Sequence, residues 1–274
     1  MSELRSRVLV SVIFIPVLLL ALYWEGVPLF VMFLLVSLLG AQEYRSMMSK
    51  AGHQIPAIWV LMIPIFYSAW VFYPGLEAAL LWLAFFFAVI NSLVNWDTSR
   101  SIPKLFSIIF GVIYTALLPA MIVKIGWHHP VKKILLALIL MIWIVDTMAY
   151  FVGMRFGKKR GITQVSPRKS REGFIAGVFA PWVVLFILYI CGFDAIPWLI
   201  MVLTAIAAGI FGQLGDLVES MLKRYCEVKD SSHLIPGHGG VLDRTDSILM
   251  AGAFLYFALA IAEIAGYGTN FRTY

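Results

Sequence analysis

The chain has 274 residues, of which 61% are hydrophobic and 13% charged, and its formal net charge is +6. A typical soluble domain carries about 25% charged residues, and one core of this size cannot hide so much apolar surface, so a soluble globular protein is excluded. The positive excess lies beside apolar runs, where basic side chains meet anionic headgroups, and it does not point to nucleic acid.

The ruler that applies is the bilayer, whose ~30 Å core is crossed by about 20 helical residues. Apolar segments follow one another at about 8–24, 28–48, 56–74, 76–95, 105–124, 133–154, 173–190, 195–222 and 247–267. They are too long, and too free of period-two alternation, for a β-barrel. The first follows Arg5 and Arg7 but leads into "ALYWEGVP", without a small-x-small cleavage site, so it reads as a retained helix rather than a signal peptide. The expectation is an all-α, polytopic integral membrane protein with about nine transmembrane helices in a single domain, 1–274. N-terminal helices occupy about 1–95, middle helices about 100–154, and a C-terminal catalytic part about 155–267. Cys191 and Cys226 stand at opposite ends of a predicted span, so they form neither an intrachain disulfide nor a metal cluster.

With the N-terminus in the cytoplasm, nine spans place all but Lys124, Lys132, Lys133 and Arg272 of the 21 Lys and Arg residues on that side. The positive-inside rule then expects a cytoplasmic N-terminus and a C-terminus across the membrane. The same threading puts both long polar connectors, 155–172 and 223–246, in the cytoplasm.

Acidic residues are scarce, so their positions are informative. Asp146 lies within the sixth span, in "MIWIVDTMAYFVG"; Asp216 and Glu219 lie near the end of the eighth, in "FGQLGDLVES"; Asp243 and Asp246 open the ninth, in "VLDRTD". An ionisable group inside a span is costly and marks function by default. Residues three apart share a helical face, so Asp243 and Asp246 form one carboxylate pair, and Asp216 with Glu219 another. Hard oxygens suit Mg²⁺, which takes one or two carboxylates and completes its shell with water and substrate phosphates. Metal ligands are therefore expected among Asp216, Asp243, Asp246 and Asp146, against the plainer readings of helix capping or an interhelical ion pair.

Cations and glycines accompany these acids. "SPRKSREG" holds Ser166, Arg168, Lys169 and Ser170, and "KRYCEVKD" holds Lys223, Arg224 and Lys229. Phosphate oxygens are matched by such cations, by Arg244, and by backbone N–H groups of glycine-rich turns such as "PGHGG" with Gly239 and Gly240. His238 in that turn reads either as a base or as a local hydrogen-bonding partner. Carboxylates for a divalent cation, cations for phosphate and access to lipid together point to phosphoryl or nucleotidyl transfer on a lipid, in which the protein mainly positions charge around an in-line displacement. Asp243, Asp246, Asp216, Lys169 and His238 are the candidate catalytic residues.

The run from Ser220 to Asp246, "SMLKRYCEVKDSSHLIPGHGGVLDRTD", resembles the hallmark motif of the phosphatidate cytidylyltransferases, or CDP-diacylglycerol synthases. "GQLGDLVES", "DTMAYFVGMRFGKKR", "SPRKSREG" and "QEYRSM" look like further landmarks of that family. Where the family more often reads Ser-Pro-Lys-Lys-Thr-Trp-Glu-Gly, Arg168 and Ser170 keep the donor types, and Arg171 stands in place of an interfacial aromatic. The resemblance implies transfer of CMP from CTP to phosphatidate, giving CDP-diacylglycerol and pyrophosphate, with Mg²⁺ and room for a second cation. It also implies a homodimer in the bacterial inner membrane, whose partners are CTP, phosphatidate and membrane lipids. The rival readings are a related CTP-dependent polyprenol or phytol kinase, a CDP-alcohol phosphotransferase, whose aspartate-rich pattern is absent, and a cation-coupled transporter using Asp146 and Asp216.

Overall fold

The computed structural model describes residues 3–94, 96–158, 161, 163–167, 169–235, 237 and 239–267, with the side chains of 3–11 and 13 outside the description. Among the described residues the chain forms nine helices: α1 (Glu3–Trp24), α2 (Gly26–Lys50), α3 (Ala57–Phe72), α4 (Glu77–Val94), α5 (Ser101–His128), α6 (Ile134–Phe156), α7 (Arg171–Ile190), α8 (Trp198–Tyr225) and α9 (Leu242–Ile264). Each coincides with one expected apolar segment. Seven of them, α2 and α4 to α9, are long and apolar enough to cross a membrane. The apolar described part of α1, Phe14–Trp24, and α3 are shorter, and both helices contain a proline, Pro16 and Pro64.

The sequence explains the helix ends. α2 stops where Gly52 adopts φ +86° and His53 N–H returns to the carbonyl of Met48, a left-handed terminus that glycine allows at least cost. α7 starts at Ser170, whose hydroxyl accepts from Gly173 N–H, the usual service of an N-cap serine. Large apolar side chains such as Leu61, Ile65, Trp82, Phe179 and Phe186 remain exposed on the helices. In water such faces would be a liability; in lipid they are the solvated surface.

The chain divides into two compact units. One comprises residues 1–123 with 222–244, and the other residues 124–221 with 245–272. The core of the first is aromatic, with Tyr44, Trp59, Tyr67, Trp70 and Tyr114 almost fully buried. Gly111 on α5 makes this possible, because a Cβ there would lie 2.6 Å from the Tyr44 ring and 2.7 Å from that of Trp59. Tyr44 donates its hydroxyl to the carbonyl of Ser107 at 2.8 Å. A π-helical turn at Ile113–Leu117 interrupts α5; such turns strand backbone groups, and here the hydroxyl of Ser37 on α2 donates to the carbonyl of Thr115.

In the second unit α6 packs along α7. Small residues set the approach, as expected of helices that cannot rely on the hydrophobic effect within lipid. A Cβ at Gly173 would lie 2.5 Å from the carbonyl oxygen of Ala149, and one at Gly157 would meet Ser170 at 2.8 Å. α8 contains the second π-helical turn, Ala207–Gly212. Gln213 serves it, donating from Nε2 to the carbonyl of Gly209 at 2.6 Å and to that of Phe174 on α7 at 3.2 Å.

Candidate active site

In the first unit the charged connector folds around two carboxylates. Asp243, in the first turn of α9, accepts at Oδ2 from the N–H of Ser231, the hydroxyl of Ser231 and the N–H of Gly240, each at 2.8 Å. Its Oδ1 meets Lys223 Nζ, from the last turn of α8, at 2.6 Å. The second carboxylate is Glu43, a buried residue of α2. Its Oε1 accepts from the hydroxyl of Ser232 at 2.6 Å and the N–H of Val241 at 2.8 Å; its Oε2 accepts from the hydroxyl of Ser231 and the N–H of Leu242, both at 3.0 Å. The backbone donors at the start of α9 are thus satisfied by a carboxylate from another helix, a favourable place for negative charge.

The glycines of the connector serve this arrangement. A Cβ at Gly240 would lie 2.0 Å from the hydroxyl of Ser231 and 2.5 Å from both Glu43 oxygens, and one at Gly239, where φ is +83°, would lie 2.6 Å from Oδ2 of Asp243. The close approach that these glycines permit is made by the protein's own carboxylates. Ile235 N–H donates to the carbonyl of Gly239 at 2.9 Å and closes the turn. Arg224, Lys229 and Arg244 are exposed. His238 lies outside the described residues, as does Arg168.

In the second unit Lys169, ahead of α7, pairs with Oδ2 of Asp216 on α8, and each side chain is about one third exposed, at 34% and 37%. Asp146 on α6 feels the charges of both Lys169 and Asp216, and its residue is exposed although it lies well inside α6. An ionisable group within a membrane span is costly and marks function by default. Asp246 is buried and accepts from Ser247 N–H at 2.7 Å. Its backbone touches that of α8, since a Cβ at Gly215 would lie 2.4 Å from the Asp246 carbonyl oxygen. Asp216 and Asp246 therefore stand on touching stretches of two helices. Ser166 is half-buried, and its carbonyl accepts from the N–H of Lys169 at 3.3 Å; Ser170 is the buried cap of α7.

Among the described residues no three His, Cys, Asp or Glu side chains converge as a metal cage. Mg²⁺, if bound, would need only one or two carboxylates, with water and phosphate for the rest. Both cysteines are free, Cys191 exposed and Cys226 buried. Cys226 is buried and burial pushes its thiol up to about 11, leaving little thiolate at neutral pH.

Glu43 is the residue of this network that the spacing of carboxylates does not single out. Its signal was an acid within an otherwise apolar span, in "QEYRSM". A second contact of the connector is also invisible in sequence: the His53 ring, after α2, stacks on Tyr225 at the end of α8, with centroids 5.7 Å apart, and shares a hydrogen bond with its hydroxyl. Desolvation first, and Arg100 second, hold His53 below the ordinary histidine range.

Comparison with known proteins agrees with this chemistry. A model described as "Cytidylyltransferase family" matches residues 5–262. The phosphatidate cytidylyltransferase of Bacillus subtilis (strain 168) is 47% identical over 120 residues, which are 44% of this chain and 45% of that protein. The phosphatidate cytidylyltransferase of Staphylococcus aureus (strain COL) is 47% identical over 111 residues, 40% of this chain and 42% of that protein. The matched stretch therefore spans less than half the length of these curated relatives.

Proposed function

The chain belongs to the cytidylyltransferase family, and on that premise we propose that it transfers CMP from CTP to phosphatidate at a membrane surface. A phosphate oxygen of phosphatidate attacks the α-phosphorus of CTP, the bond from that phosphorus to the β-phosphate oxygen breaks, and CDP-diacylglycerol and pyrophosphate leave. The observation that carries this reading is the pairing, in each unit, of a carboxylate with a lysine beside a membrane-length helix: Asp243 with Lys223, and Asp216 with Lys169. Pairs of this kind offer a cation to a phosphate and an anion to a metal, next to the lipid phase that holds one substrate.

Asp216 and Asp246 would hold Mg²⁺, with Asp146 behind them. Bound there, Mg²⁺ would offset the charge of the triphosphate. Lys169 would exchange its carboxylate partner for a substrate phosphate, a charge-assisted contact. Asp243, which sequence spacing also marks as a ligand, has both oxygens engaged, Oδ1 by Lys223 and Oδ2 by Ser231 and Gly240. Arg224, Lys229 and Arg244, with Arg168 and His238, are further candidates for phosphate contacts.

The same reading takes all nine helices as spans, with the N-terminus and both connectors in the cytoplasm. It places a homodimer in the bacterial plasma membrane, where cytoplasmic CTP meets phosphatidate. Purified protein supplied with CTP, Mg²⁺ and phosphatidate should release pyrophosphate and a CDP-lipid in equal amounts. Formation of CDP together with a phosphorylated alcohol would instead identify a lipid kinase. Labelling of a cysteine introduced at Ser232 by an impermeant reagent from outside sealed cells would refute the orientation.

A further inference from the structure

We propose that Glu43 is a positioning residue, which clamps the charged connector to α2 and fixes the stance of Asp243 through the hydroxyl of Ser231. Its part in turnover rests on the cytidylyl-transfer reading; the clamp itself does not.

The geometry of the donors makes the case. Four groups point at the Glu43 carboxylate, and each oxygen faces one hydroxyl and one backbone N–H: Ser232 and Val241 at Oε1, and Leu242 with Ser231, whose single hydroxyl proton is shared with Asp243, at Oε2. A hydroxyl can turn and accept instead, but a backbone N–H cannot. Glutamine is therefore no substitute, because in either amide orientation its NH₂ faces an N–H that needs an acceptor. Aspartate falls one methylene short. The site thus calls for glutamate in particular, and a simple apolar span would call for no acid at all.

The carboxylate also acts at a distance. Ser231 Oγ lies 3.0 Å from Glu43 Oε2 and 2.8 Å from Asp243 Oδ2, so the two acids share one hydroxyl. The N–H groups of Val241 and Leu242 tie the start of α9 to Glu43, and Asp243 is the next residue. Moving Glu43 thus disturbs Asp243 by two routes, the serine and the helix start.

The test uses the full chain in detergent. Losing one hydrogen bond to a charged group is worth roughly 10- to 100-fold in the population of the opened connector. Trypsin should therefore cut after the exposed Lys229 about tenfold or more faster in Glu43→Gln than in the unaltered protein, with Ser232→Ala intermediate, and with the melting transition still cooperative. In the CDP-lipid assay Glu43→Gln and Ser231→Ala should each lower kcat more than KM for CTP. The double variant should be little worse than either single one, because residues acting as one unit are not additive. Unchanged cleavage after Lys229 in both Glu43→Gln and Ser232→Ala would overturn the clamp. Accelerated cleavage with unaltered kcat, or with additive losses, would overturn the action on Asp243. If the unaltered protein makes no CDP-lipid while the cleavage difference persists, the clamp stands and the cytidylyl-transfer reading falls. Should Glu43→Gln not fold, Ser232→Ala, which removes one bond of four, decides the clamp.

Discussion

Lys223 and Asp243, 20 residues apart in sequence, meet at 2.6 Å with side-chain exposures of only 16% and 6%. The lysine ends one helix, the aspartate begins the next, and the whole charged connector is the loop between them. A pair this sheltered is not surface decoration. Removing one member of so sheltered a pair is costly, and how costly depends on the partners that the other keeps.

The two members should not be equal. Asp243 keeps two amide donors and a share of the Ser231 hydroxyl when Lys223 is lost, whereas Lys223, Gly240 N–H and Ser231 N–H each lose an acceptor when Asp243 is lost. Asp243→Ala should therefore destabilise the protein by about 3–5 kcal/mol, and Lys223→Met by about 1–3 kcal/mol. Thermal unfolding in detergent ranks them, and an equal or reversed order would show that the amide donors contribute little.

Gly240→Ala is expected to be among the most damaging single-methyl additions in the chain. Its Cβ would stand 2.0 Å from Ser231 Oγ and 2.5 Å from the Glu43 oxygens. Serine and glutamate must both retreat, so the loss should exceed the roughly 1–3 kcal/mol usual for overpacking. A normal melting temperature for Gly240→Ala would mean that the Glu43 and Ser231 positions are not tightly held.

Lys169→Ala should separate function from stability. The pair with Asp216 is about one third exposed, so its net contribution to folding is roughly 0–1 kcal/mol. A phosphate contact is worth more, on the order of 1.5–3 kcal/mol. The variant is expected to melt almost as the parent does while kcat/KM for CTP or phosphatidate falls about ten- to a hundredfold. Unchanged kinetics with both substrates would return Lys169 to the role of a lipid-facing charge.

Asp216→Asn and Asp246→Asn should each abolish most turnover and leave folding intact, since the amide keeps the shape but lacks the charge that a hard cation needs. Raising Mg²⁺ should restore part of the rate if one ligand remains. Normal turnover in both variants at limiting Mg²⁺ would remove these residues from the metal site.

Acid should loosen the contact of His53 with Tyr225. The folded protein holds the imidazole below its ordinary value of 6.5, chiefly by burial and then by Arg100, so it favours the neutral ring. The contribution is fully present above 6.5. It is lost as pH falls toward the lower folded value, where the unfolded chain takes up the proton first. His53→Phe keeps a ring for stacking and should lessen the drop in melting temperature between about pH 7.5 and 5. A drop as steep as in the parent would assign the acid sensitivity to other groups.

Apolar runs made the helices legible, and seven of the nine reach the length and hydropathy of a span. Positions of acids in spans single out Asp146, Asp216 and Asp246 as candidates. What spacing on one helix could not convey is division of labour. Asp243 and Asp246 share a face of α9, yet Asp243 is saturated by the connector while Asp246 lies against Gly215 of α8. The partners of Glu43 come from a stretch 188 to 199 residues away, and no periodicity reports a contact at that range. The π-helical turns were also silent, since they depend on Ser37 and Gln213 supplying hydrogen bonds from outside the local pattern.

That long separation in sequence has a consequence for how the protein is made. Glu43 leaves the ribosome 188 residues ahead of Ser231. At about 5–20 residues per second, its carboxylate passes roughly 10–40 s of translation before the first of its four donors exists. During that interval α2 is a nascent apolar helix bearing a costly acid near its end, the kind of segment that an insertion machine must hold at a wet interface or shield. Completion of the connector is then the event that relieves it, so maturation of the first unit is timed by synthesis of its last piece rather than by insertion of its first.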